Sequence, residues 1–370
     1  MRVRLFGRAG AIGGGVHFAE FSAAFRSLAI VGDLVDEVDV HDDAAMQRAS
    51  LGSKSDDVNI WFWPHRAAPA FRGIKVLWTV FESTRLPEDY LQDLQDLFDV
   101  LWVPSMWGRE VLLGNGLPAA KIDVVPEGVN PSRFHALFRQ PPGTFTRPYR
   151  FLTIGKFETR KGYSELLEAF VATFGNSSDV ELILKPDYFV DPIAKRREFE
   201  KFINQFSLNN VNTIWGQLSN EHLLALYSSV DAFVFPSRSE GWGLPLIEAM
   251  ACGLPIITTY YSGHTQFLEP VRQLTREIEF DLVDIDSPDF TKYWQKDDGN
   301  LGVWAKARPQ SIADGLREFV ANQSLWYQRG LELAELTRRR FTWREAAEKG
   351  ARSLSARNLI PSHLELKFKD

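Results

Sequence analysis

Two doubly wound α/β domains, each a parallel sheet covered by helices, are what this chain of 370 residues predicts. Three observations carry that expectation. Short apolar runs of buried-strand type recur along the length. Several are followed at once by a glycine-rich turn and an amphipathic stretch. A proline-dense segment over residues 139–148 interrupts the pattern where a domain boundary belongs. The length suffices for two full cores.

Taken in order, residues 3–6 read as a first strand, followed by a turn rich in glycine through Gly14 and Gly15 and a helix over 16–25. Further strands fall at 59–63, 74–80, 100–105 and 122–129, with a helix over 106–113. The second domain opens on a strand at 150–155. A turn bearing Lys156 and Lys161 and a helix through residue 170 come next. Strands at 180–185 and 211–215 lead to a helix from Ser219. Then come strand 230–236, a glycine loop, a helix stopped by Gly253, and strand 255–259. Residues 270–307, mixed in charge, read as an irregular insertion. The chain turns helical again near its end, where Thr342 and Glu345 have the spacing of a capping box. No solenoid-length repeat is evident.

Composition narrows the function classes. The 48 acidic and 42 basic residues give a net charge of −6, which argues against broad nucleic-acid binding. The single Cys252 excludes an intrachain disulfide and reads as a small core residue. No signal-like apolar stretch opens the sequence and no run reaches membrane-spanning length, so a cytoplasmic enzyme is expected. Trp102 and Trp107 read as core rather than as a membrane belt, which leaves peripheral membrane contact open. Oligomeric state is not legible.

Residues 237–255 carry the chemistry. Gly241 and Gly243 remove side chains where a ligand must approach the backbone. Pro245 suits a first helical turn, whose unpaired N–H groups make an anion site. Glu240 stands just before that helix and Glu248 about one turn inside it. Carboxylates beside an anion site make sense when the ligand also offers hydroxyls. A nucleotide sugar offers both.

The run from Glu240 through Gly241, Trp242, Gly243, Leu244 and Glu248 to Pro255 resembles the E-x7-E signature of the retaining, family-four (group 1) glycosyltransferases of GT-B fold. The resemblance is dense here and thinner over most of the chain. It implies four parts: a Rossmann-like acceptor-side domain (1–140), a linker (141–149), a nucleotide-sugar domain (150–340), and a last helix (341–370) crossing back to the first domain. It implies that Glu240 contacts the donor sugar, that Glu248 binds the ribose, and that the loop amides hold sugar and diphosphate. Trp242 stands where phenylalanine is usual. Lys156 and Lys161 match the family's diphosphate-gripping Arg and Lys, with lysine replacing the arginine. Gly14 and Gly15 match its glycine loop facing the diphosphate, and backbone near Gly216 and Leu218 borders the base. Where many members carry His-Asp, this chain has Phe81-Glu82. Glu82 either orients the acceptor hydroxyl or caps the helix near Pro87. His17 either reaches the cleft or packs its helix. His264 either gives a proton to the leaving phosphate or is structural. The resemblance implies a nucleotide diphosphate sugar as donor, a glycan, lipid-linked or small-molecule acceptor, and no cofactor or metal.

Other readings share some of these features. The first glycine loop, with Asp39 or Asp42 ending a second strand, fits a nicotinamide enzyme. Asp284-Ile285-Asp286 fits a metal-dependent transferase but has no third ligand at useful spacing. A GT-B protein that binds nucleotide sugar without transfer, or a GT-B epimerase, would keep the same loop.

Overall fold

The computed structural model describes residues 1–10, 13–28, 34–144, 147–186, 191–291 and 298–360. Contacts divide the chain into two units. The first holds Met1–Gly128 and the chain from Phe341 onward; the second holds most of Val129–Arg340.

In the first unit, strands β1 (Val3–Gly7), β2 (Val35–Asp39), β3 (Val58–Trp61), β4 (Ile74–Trp78), β5 (Val100–Val103) and β6 (Ile122–Val124) alternate with helices. These are α1 (Gly13–Arg26), α2 (Asp43–Leu51), α3 (Glu88–Asp96) and α4 (Met106–Gly114). The strands are parallel in the order β2-β1-β3-β4-β5-β6. β1, β3 and β5 are buried at every position. β5 accordingly reads as a continuous apolar run, while β1 and β3 each carry one buried polar residue, Arg4 and Asn59.

The second unit contains β7 (Tyr149–Ile154), α5 (Tyr163–Phe174), β8 (Val180–Lys185), α6 (Pro192–Asn204), β9 (Val211–Thr213), α7 (Asn220–Ser228), β10 (Ala232–Phe235), α8 (Leu244–Ala251) and β11 (Ile256–Thr259). It continues with α9 (Thr265–Leu268), β12 (Arg276–Ile278), β13 (Phe280–Asp284), α10 (Pro288–Thr291), β14 (Val303–Ala307), α11 (Pro309–Ala321) and α12 (Gln323–Arg340). Its sheet runs β12-β11-β10-β7-β8-β9, all parallel. Strand order reverses between β7 and β10, the place where such sheets bind ligands at the strands' carboxyl ends.

The final helix, α13 (Trp343–Ala356), belongs to the first unit and lies on α1. Thr342 caps it, its side chain accepting from the Glu345 N–H. Its buried face is Trp343, Ala346, Ala347, Gly350, Ala351 and Leu354. The indole of Trp102 donates to Ser353 Oγ at 2.8 Å, and Arg357 meets Asp123 at 2.8 Å. Residues 361–370 of the expected last helix lie outside the described residues.

Two expectations change. The stretch 270–307 is ordered where it is described: β12 extends the sheet from β11, and β13 pairs antiparallel with β14. Its edge strand is three residues long, with Arg276 and Glu277 half-buried, so no apolar run announced it. The unit boundary falls at Gly128/Val129, ahead of the proline-rich stretch. Arg139, buried, bonds the Val230 and Asp231 carbonyls at the start of β10, which ties residues before 140 to the second unit.

Candidate active site

In the second unit three loops leave adjacent strands at the same edge of the sheet: 155–162 after β7, 236–243 after β10 and 260–264 after β11. The first closes with a short 3-10 turn, Thr159–Lys161, ended by Gly162 at φ 71°. A Cβ at Gly162 would lie 2.3 Å from the Pro236 carbonyl oxygen. Glycine therefore lets the lysine-bearing turn sit directly on the glutamate-bearing loop. Gly162→Ala is expected to destabilise the protein by about 3 kcal/mol, from overpacking plus left-handed strain. Denaturant unfolding measures it, and a loss under about 1 kcal/mol would contradict the tight seating.

That seating brings a carboxylate between two cations. Glu240, buried, receives Lys161 Nζ on Oε1 at 2.6 Å and Arg160 NH1 near Oε2 at 3.0 Å. Ser237 Oγ donates to Oε1 at 2.5 Å. The Glu240 N–H donates to Ser262 Oγ at 2.8 Å, and its carbonyl accepts from the Gly263 N–H at 2.9 Å. Burial pushes this carboxyl up, but Lys161, Arg160 and the hydrogen bonds from Lys161 and Ser237 overrule it and bring the pKa to about 2. Burial and Arg160 pull the Lys161 ammonium below its ordinary value, against the attraction of Glu240. The group is a buried ion triad.

Gly243, at φ 102°, leads into α8, which starts at Leu244 with Pro245 in its first turn. Glu248, half-buried one turn in, accepts from Tyr227 Oη at 3.0 Å. Trp242 is 2% exposed and meets Phe267 edge-on at 4.9 Å, so its indole is core and its position offers the loop only backbone. Lys156 stands exposed, 3.8 Å from Glu158, outside the triad. The Gly216 carbonyl accepts from buried Lys185 at 2.6 Å, with Gly216 exposed and Leu218 half-buried after β9.

His264 is fully buried, and burial lowers its pKa to about 4. Its Nε2 lies 2.8 Å from the Thr259 carbonyl, an acceptor, so the neutral ring carries its one proton there. Nδ1 is buried without a hydrogen-bond partner. In this arrangement the ring anchors the 260–264 loop and has no second proton to give.

The first unit holds the remaining residues. A Cβ at Gly15, in the first turn of α1, would lie 2.5 Å from the Gly10 backbone nitrogen, so this close approach of the helix to Gly10 requires glycine. Glu82, half-buried, follows β4, and Pro87 stands at the N-cap of α3, where its own side chain makes no cap hydrogen bond. His17 is packed between Phe62, Trp78 and Trp343, and burial lowers its pKa to about 3. Its Nδ1 lies 3.7 Å from Glu127, which burial raises to about 8.

These shifts act in opposite directions. Glu127's raised pKa gives stability that is full below about 4.5 and lost as pH climbs to about 8. His17's lowered pKa gives stability that is full above about 6.5 and lost as pH falls to about 3. Above 6.5 only the Glu127 loss remains. Glu127→Gln is therefore expected to raise Tm more at pH 8 than at pH 5, and an equal change at both would contradict this.

Among the described residues no cluster of three His, Cys, Asp or Glu is placed to hold a metal. Asp284 and Asp286 both lie exposed. Cys252 is buried, and burial raises its thiol pKa. No described helix is long and apolar enough to cross a membrane. Arg160 reaches Glu240 with no signal in the spacing beyond its place beside Lys161, and Ser237 opens the 237–255 stretch without a role assigned to it there.

Residues 136–272 match the family model described as glycosyl transferases group 1. The D-inositol 3-phosphate glycosyltransferase of Pseudarthrobacter chlorophenolicus is 28% identical over 43% of this chain and 39% of its own length. The MMP alpha-(1->4)-mannosyltransferase of Mycolicibacterium hassiacum is 32% identical over 48% of this chain and 41% of its own. The match thus spans about two fifths of each relative. The structure of HepE from Anabaena in complex with UDP-glucose superposes with TM-score 0.69 at 13% identity, covering 96% of this chain and all of that one. WaaG, a glycosyltransferase involved in lipopolysaccharide biosynthesis, gives 0.61 at 14%, covering 95% and 99%.

Proposed function

We propose an activity from one premise: the chain belongs to the group 1 glycosyltransferases and has the GT-B fold. It moves a hexosyl group from a nucleotide diphosphate sugar, a UDP- or GDP-sugar, to a glycan, lipid-linked or small-molecule acceptor. Configuration is retained, and neither metal nor cofactor takes part. The observation that supports this best is the Glu240–Lys161–Arg160 triad at the start of α8. In that first turn the Leu246 and Ile247 N–H groups bond the Gly243 carbonyl and Pro245 has none, so it is the loop amides ahead of Leu246 that suit a diphosphate. Glu240 suits a donor hydroxyl and Glu248 a ribose.

As the bond from the anomeric carbon to the phosphate oxygen breaks, its electrons pass to the diphosphate. The acceptor oxygen attacks the same face, and its proton goes to a phosphate oxygen. At an effective dielectric near 20, one lysine about 4 Å away stabilises that charge by roughly 4 kcal/mol. Lys161, Lys156 and those loop amides supply this role. By the family resemblance, Gly14 and Gly15 of the first unit are donor-side positions and Glu82 an acceptor-side one. HepE was solved with UDP-glucose and the M. hassiacum relative is a mannosyltransferase, which supports a hexosyl donor.

Thermal unfolding with UDP, GDP and ADP tests the reading. Specific binding at a hundredfold excess over Kd stabilises by about 2.7 kcal/mol. One of the three is expected to raise Tm, and no rise with any of them refutes nucleotide-sugar transfer. An altered nucleotide sugar formed from donor alone would identify an epimerase instead.

A further inference from the structure

We infer that Arg160 holds the Glu240 carboxylate in place while Lys161 leaves it for the diphosphate. The inference rests on the transfer reading above and names a positioning residue for it. Arg160 and Lys161 are neighbours in one 3-10 turn, both 8% exposed, yet they take different oxygens of one carboxylate.

Their anchoring differs. The Arg160 guanidinium also donates to the Ser239 carbonyl at 2.8 Å and to Glu158 Oε2 at 3.2 Å. Its own carbonyl accepts from the Arg238 N–H at 2.7 Å. A planar fork with several acceptors is fixed in place. Lys161 extends its flexible stem over Gly155, where a Cβ would meet Lys161 Cδ at 3.1 Å, and ends 5.6 Å from the Phe235 ring centre.

Diphosphate and Glu240 compete for the lysine. Removing the partner of a buried carboxylate is costly when nothing replaces it. With Arg160 on the second oxygen, Glu240 keeps a counter-charge and a fixed direction after Lys161 departs. Loss of Arg160 would tie Lys161 to Glu240 and weaken diphosphate binding.

Calorimetric titration with UDP, GDP and ADP is the test, run on wild type, Arg160→Met, Arg160→Lys, Glu240→Gln and the Arg160→Met/Glu240→Gln double variant. Arg160→Met is expected to weaken whichever nucleotide binds by about tenfold, with Arg160→Lys recovering part of the loss. With Glu240→Gln no carboxylate holds the lysine, so adding Arg160→Met is expected to change affinity less than about twofold. Wild-type affinity in Arg160→Met overturns the assignment, as does an equal loss in the Glu240→Gln background, which marks a merely structural role. A wild-type protein that binds none of the three overturns the transfer reading and this assignment with it. Should Arg160→Met not fold, Arg160→Gln, which can still donate to the Ser239 carbonyl, takes its place in the same cycle.

Discussion

Glu240→Gln is expected to lower kcat/KM for transfer by about a thousandfold while the protein stays folded, as when a preorganised polar group is removed from an active site. Glutamine keeps the shape and can still accept from Lys161 or Ser237, but it loses the charge. Glu240→Ala is the harsher change. It leaves Lys161 and Arg160 buried without their shared counter-ion, at a cost of about 3–5 kcal/mol. The linkage has a definite sign. Glu240's pKa falls from 4.5 to about 2 in the folded protein, so its stabilisation is present above about 4.5 and is lost as pH falls towards 2. The shift corresponds to about 3 kcal/mol, as an order of magnitude. Glu240→Gln should flatten the acid limb of stability between those values. Steady-state kinetics and denaturant unfolding at pH 7 and pH 3 check both statements. Near-normal turnover by the folded glutamine variant would remove Glu240 from the reaction.

Lys161→Met is expected to cost a further large factor, about two to three powers of ten in kcat/KM. The basis is the roughly 4 kcal/mol that a lysine contributes beside a departing diphosphate. The same substitution at Lys156, exposed and 3.8 Å from Glu158, is expected to cost about tenfold, since solvent screens its charge. Parallel kinetics on the two variants decide the ranking. A Lys156→Met enzyme slower than the Lys161→Met enzyme would invert the assigned roles.

The sequence makes central strands of the parallel sheets legible because they are buried on both faces and so form unbroken apolar runs, as over 100–103 and 232–235; β2, with Asp36, Glu37 and Asp39, has no such run. It makes the Glu240 loop legible because glycine and proline stand at positions the backbone geometry requires, as at Gly243. It does not reveal Arg160. Adjacent basic residues look alike on paper, and only the 3-10 turn sends both inward. Trp242 reads as part of a binding loop, but its indole turns into the core. The strands at 276–284 escape notice because an edge strand and a small hairpin carry charge wherever solvent reaches them. His17 and Glu127, far apart in the chain, meet only through folding.

The return of α13 to the first unit has a consequence for biosynthesis. A ribosome delivers Phe21 and Trp102 long before it delivers Gly350, whose added Cβ would touch both rings at 3.1 and 3.2 Å. The earlier-made unit therefore waits, with aromatic surface uncovered, until the segment beginning at Trp343 emerges. The intervening unit can complete its own sheet first. A nascent chain stalled before residue 343 would expose those rings to chaperones or to its neighbours.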